Sequence, residues 1–181
     1  QTPGRLRLSA RDAALFLVAL LAFNVPLVAY ALAAALLINL PDSTPDGERR
    51  LLGLVLVVAV SMMMSSRPVS AEGSDDLVGY YDLYLEFRAG DYERLFQFGG
   101  GLEIGLTSLF CLWAWLLPKL SPNGLMLCMT LTSALPFWAW VESTFYGKRS
   151  TQRDTALIGA ALLLFNVYFS TQLARQFLAL V

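Results

Sequence analysis

The chain has 181 residues, of which 56% are hydrophobic and only 15% charged, and its net charge is −1. Globular domains carry about a quarter charged residues, and a chain without net positive charge has no field to draw nucleic acid. Histidine is absent, which removes imidazole bases, His-ligated metals and Ser-His-Asp triads.

A basic flank holding Arg5, Arg7 and Arg11 leads into the first apolar run, Ala13–Leu40. As a helix this run would be about 42 Å long, more than the hydrocarbon core of a bilayer, and tilt or a kink at Pro26 absorbs the excess. It is too long for a secretory signal and lacks a clear small-residue cleavage site. The polar turn 41–50 ends it. A second span is expected over Leu51–Ser66; its valines need not make a strand, because an open strand cannot satisfy its backbone in lipid. After the polar segment 67–101, a third span runs over about Leu102–Leu117 and is closed by Pro118. Pro122-Asn123-Gly124 turns into a fourth, Leu125–Val141, and a polar loop, 142–154, precedes a fifth that starts near Thr155.

Trp113, Trp115, Trp138 and Trp140 fall towards span ends, as interfacial aromatics do. Cys111 and Cys128 lie inside apolar runs and read as small buried hydrophobes. Asn24, Asn39, Asn166 and Gln172 are expected to hydrogen-bond between helices. The expected fold is therefore all-α: one polytopic transmembrane helix bundle over 1–181, with about five spans and an amphipathic interfacial helix in the extramembrane segment 67–101. Gln1 at the start and the apolar run Phe177–Val181 at the end suggest a fragment of a larger protein. Strict alternation of five spans places Arg49 and Arg50 on one side and the 142–154 loop on the other. By the positive-inside count the Tyr-rich loop then faces the cytoplasm.

Within 67–101, residues 73–88 carry a helical pattern. Ser74 suits an N-cap, and Asp75 and Asp76 complement the helix dipole. Leu77, Tyr80, Tyr81, Tyr84 and Arg88 recur along one face, Gly90 supplies a stop, and Asp91 can cap a shorter helix towards Phe98. Two readings stand side by side: an interfacial helix anchored by tyrosines, or a sugar site in which tyrosine faces stack on pyranose rings while carboxylates bind hydroxyls. Arg67, at the end of the second span, either snorkels to the interface or grips phosphate with its fork. Glu103 is either solvated at a span start or marks a functional cavity, and Arg175, deep in an apolar stretch, divides between the same kinds of role.

Read in order, these residues resemble the EpsG-like family of bacterial polysaccharide polymerases, related to the O-antigen polymerases called Wzy. The resemblance rests on Arg67 followed by Gly73-Ser74-Asp75 with Tyr80 and Tyr84, on Glu103-Ile104-Gly105-Leu106 at a span start, and on Ala174-Arg175-Gln176 with Ala179. It covers about Leu51 to Val181, the N-terminal half of such an enzyme. The sequence departs from the family pattern with Ser at 74, Ile at 104 and six-residue spacing between Arg67 and Gly73.

The resemblance implies a multi-pass protein of the bacterial inner membrane that joins oligosaccharide units carried on undecaprenyl diphosphate, on the outer face and without a nucleotide sugar. It implies Arg175, or else Arg67, as the group neutralising the departing diphosphate, and Asp75 or Glu103 as general base for the acceptor hydroxyl. Arg67, Tyr80 and Tyr84 are the implied substrate-binding residues. No metal cluster or cofactor motif is visible, and the implied partners are membrane lipid and a chain-length regulator or other polysaccharide-assembly proteins. Two rivals belong to other classes: one half of a transporter or flippase, with Glu103 and Arg175 lining a pathway, and a non-catalytic membrane subunit.

Overall fold

The computed structural model describes residues 10–41, 46–66, 76–97, 104–145 and 156–163, and these are helical with short connections and no strand. The helices are α1 (Ala10–Asn24), α2 (Pro26–Asn39), α3 (Asp46–Ser65), α4 (Asp76–Arg88), a 3-10 turn η1 (Glu93–Phe96), α5 (Ile104–Leu116) and α6 (Pro122–Phe145). Residues 156–163 form a further helical stretch. The chain divides into two compact units: Gln1–Met63 with Ala134–Leu164, and Met64–Ser133 with Phe165–Val181.

In the first unit, α1 and α2 are two helices joined at Val25, whose non-helical backbone (φ −137°, ψ 70°) turns one against the other. Pro26 has no N–H, so the ladder bond to the Ala22 carbonyl is missing. The ladder continues on both sides of the gap, with Val25 N–H on the Leu21 carbonyl at 2.7 Å and Ala29 N–H on the Val25 carbonyl at 3.1 Å. The helices have 15 and 14 residues with Val25 between them, about 23 and 21 Å long. Asn24 and Asn39 each donate to the carbonyl four residues back in their own helix, at 3.1 and 2.7 Å. This corrects the interhelical role expected for them: an amide with apolar neighbours takes the nearest acceptor. Asn166 and Gln172 lie outside the described residues.

Together α1 and α2 bury Val18, Ala22, Ala29, Ala33 and Leu37. Other large side chains are exposed: Phe16 is 64% exposed, Phe23 64% and Leu27 62%. Tyr30 donates its hydroxyl to the Ala160 carbonyl at 2.5 Å, tying α2 to the stretch 156–163.

α3 and the second half of α6 run antiparallel, since Arg49 and Arg50 meet Glu142 while Gly53, further along α3, meets Trp138, earlier on α6. The beginning of α3 and the end of α6 thus lie at the same end of this unit, where the five-span alternation had put them at opposite ends. Among the described residues α6 is the one helix that is by itself long and apolar enough to cross a membrane, over Pro122–Thr144.

The second unit is built on α4, α5 and the first half of α6. α4 begins close to the N-terminus that the sequence suggests and ends where Gly90 predicts. Gly90 takes φ +87°, its N–H bonds the Phe87 carbonyl at 3.1 Å, and Asp91 N–H bonds the Glu86 carbonyl at 3.0 Å. This pair of bonds is a Schellman stop, which a left-handed glycine makes without steric cost. Asp91 then accepts the Glu93 N–H at 3.1 Å and starts η1. α6 opens with Ser121, whose hydroxyl accepts the Gly124 N–H at 3.1 Å, with Pro122 in the first turn, an arrangement that satisfies an orphan donor and pre-sets φ.

Candidate functional site

The four charged residues singled out from sequence, Arg175, Asp75, Glu103 and Arg67, lie outside the described residues. Tyr80 and Tyr84 are described, and both are interior residues of the second unit. The buried face of α4 is Leu77, Tyr80, Leu83, Tyr84 and Phe87, and all but Leu77 pack with Leu106, Phe110 and Ala114 of α5 and with Leu125 of α6. Compared with the expected face, Leu83 and Phe87 are gained, while Tyr81 is half-buried and Arg88 exposed. Leu83 and Phe87 take inward positions that a reading focused on tyrosines passes over.

Tyr80 and Tyr84 are 2% and 0% exposed, so in this arrangement neither ring offers a free face for a pyranose. Tyr80 lies against Phe110, with centroids 5.6 Å apart at 59°. The Tyr84 hydroxyl accepts the Leu120 N–H at 3.1 Å and donates to the Pro118 carbonyl at 3.4 Å. Tyr81 stacks beside Tyr84 at 6.0 Å and donates to the Leu120 carbonyl at 3.0 Å. Both hydroxyls therefore tie α4 to the α5–α6 turn, whose backbone polar groups need partners. Arg88 does the same for the end of α5: its Nη1 donates to the Ala114 carbonyl at 2.7 Å and the Leu117 carbonyl at 2.6 Å. Arg94 pairs with Glu86 at 2.7 Å.

Tyr84→Phe keeps the ring and removes the bridge between helix and turn. It is expected to cost about 1 kcal/mol, the net worth of a hydrogen bond, read as a lower thermal midpoint in detergent micelles. An unchanged midpoint would leave Tyr84 free for another role.

The first unit holds a charged and aromatic cluster that the sequence reading did not single out. Glu142 receives Arg49 Nε at 3.5 Å on one oxygen and Arg50 Nε at 3.3 Å on the other. The side chains of Glu142 and Arg49 are each 14% exposed, and that of Arg50 is 67% exposed. Asp46 holds Arg49 from the solvent side at 2.9 Å. One turn before Glu142, the buried Trp138 lies on Gly53, where a Cβ would overlap the indole; on its other side is Gly159, where a Cβ would stand 3.2 Å from the ring and 2.9 Å from Val141. Trp138 is thus an interior residue rather than an interfacial one, because two glycines on different segments make room for it. Its Nε1 has no hydrogen-bond partner among the described residues.

Beside this cluster is an open hollow of about 190 Å³. Leu54 and Val57 of α3 and Leu135 and Trp138 of α6 form its apolar walls, and Arg50 and Glu142 stand at one end. The signal that could have found it is a complement between two runs: Arg49-Arg50 three residues before a glycine, and a tryptophan four residues before a lone glutamate. Among the described residues no group of His, Cys, Asp and Glu side chains is placed to hold a metal ion. Comparison with protein-family models, with curated proteins and with solved structures finds no match in any of the three.

Proposed function

We propose that this chain is a multi-span helical segment of a bacterial inner-membrane polysaccharide polymerase, which joins oligosaccharide repeat units carried on undecaprenyl diphosphate. The observation that supports the membrane part is the exposure of side chains on α1 and α2. Ala22, Ala29 and Ala33 are buried while Phe16, Phe23 and Leu27 face outward. Water would select the opposite arrangement, with large apolar groups inside. In lipid, small residues let backbones approach and large ones meet the acyl chains. Among the described residues α6 is by itself long and apolar enough for a crossing.

The glycosyl-transfer part rests on the order of Arg67, Asp75, Glu103 and Arg175 along the chain. An arginine fork suits a diphosphate leaving group, and a carboxylate suits proton removal from the acceptor hydroxyl. The test is complementation of a strain lacking the protein, with surface polysaccharide length as the readout. Arg175→Ala is expected to leave only single repeat units at normal protein abundance in the membrane fraction. Long chains from that variant would remove Arg175 from the reaction.

A further inference from the structure

We infer that α1 and α2 form a re-entrant hairpin, which enters one leaflet of the membrane, turns at Val25 among the acyl chains and leaves by the same face, the cytoplasmic one. The inference rests on the membrane reading above and goes beyond it, because it names the surface that meets the acyl chains and the leaflet that takes it.

Three observations carry the hairpin. First, α1 and α2 are about 23 and 21 Å long against about 30 Å of hydrocarbon, so neither crosses by itself. The backbone at Val25 turns one against the other. Second, the turn suits lipid. Phe23, Val25 and Leu27 are exposed there, where a turn facing water would carry polar residues. Val25 N–H bonds the Leu21 carbonyl, the Val25 carbonyl accepts the Ala29 N–H, the Asn24 amide donates to the Leu20 carbonyl, and Pro26 has no N–H to leave unmet. Hydrocarbon tolerates a break in helical backbone where the polar groups find partners in this way. Third, the far ends of both helices are charged. Arg5, Arg7 and Arg11 precede or open α1, and the chain after α2 leads through Asp42 to Asp46, Arg49 and Arg50 at the start of α3.

Charge then selects the leaflet. The end of α6 lies beside the start of α3 through Glu142, and Lys148, Arg149 and Arg153 follow α6 in sequence. With α2 turned back on α1, the face holding their charged ends gathers these three together with Arg5, Arg7, Arg11, Arg49 and Arg50, eight of the chain's 13 lysines and arginines. A straight crossing would send the first three to the opposite face. The positive-inside rule counts lysines and arginines and gives acids little weight, so pairing with Glu142 does not weaken it. Anionic headgroups of the cytoplasmic leaflet complement such a rim.

The experiment maps introduced cysteines with a membrane-impermeant maleimide on right-side-out and inverted inner-membrane vesicles, using the full chain in a Cys111→Ala, Cys128→Ala background. Ala10→Cys and Pro41→Cys, at the outer ends of the two helices, are expected to label only in inverted vesicles, and Val25→Cys in neither. Ser9→Cys, Phe23→Cys and Asp42→Cys give the same readings where one of these variants loses abundance. Label at positions 10 and 41 from opposite sides overturns the hairpin in favour of a crossing. Label at both in right-side-out vesicles alone, or at neither in any vesicle, overturns the assigned face, and label at position 25 overturns the lipid-embedded turn. Loss of the protein from alkali-washed membranes is the separate failure of the membrane reading itself.

Discussion

Glu142→Ala is expected to lower stability by about 2 kcal/mol, with a fall in thermal midpoint measured in detergent micelles. Removing one member of a buried ion pair leaves a charge desolvated without its partner, at about 3–5 kcal/mol when burial is complete. Here the figure is reduced because Arg50 is well exposed and Arg49 keeps Asp46 at 2.9 Å. Glu142→Gln separates charge from shape, since the amide keeps the packing and loses the attraction. The double variant Arg49→Met with Glu142→Leu should recover most of the loss, because an apolar pair of similar volume avoids desolvation altogether. A single Glu142→Ala variant as stable as wild type would mean that the three side chains are held by packing and not by charge.

Gly53→Val should be at least as damaging, about 3 kcal/mol, the upper range for overpacking a filled interior. The argument is spatial. A side chain at position 53 overlaps the Trp138 indole, and the indole has little room to withdraw because Gly159 and Val141 lie behind it. The remedy should therefore lie on α6: Gly53→Val combined with Trp138→Leu should be more stable than Gly53→Val alone. A double-variant cycle in the same detergent gives the coupling directly. Additive losses would show that Trp138 does not occupy the space above Gly53.

The helices were legible from local signals. The stop at Gly90, the turn before α6 and the break at Pro26 each follow from the backbone freedom of one residue type, and the structure places all three within a residue or two of expectation. The burial of the side chains was less legible. Trp138 reads as an interfacial anchor until Gly53 is set against it, and those residues are far apart in sequence. Glu142 reads as the first residue of a polar loop, yet it ends up matched with two arginines from the beginning of α3. In α4 the tyrosines drew attention because of their chemistry, while Leu83 and Phe87 settled which face turns inward. Pairings between distant helices depend on crossing geometry, for which hydropathy carries no information.

The meeting of α3 with α6 has an electrical side. A helix is partially positive at its beginning and partially negative at its end. Arg49 and Arg50 sit close to the beginning of α3, and Glu142 close to the end of α6, so each opposes the dipole of its own helix. Placed antiparallel, every one of these charges instead lies beside the favourable pole of its neighbour. Head-to-head alignment would forfeit that compensation, and the two segments accordingly select each other's direction as well as each other's company.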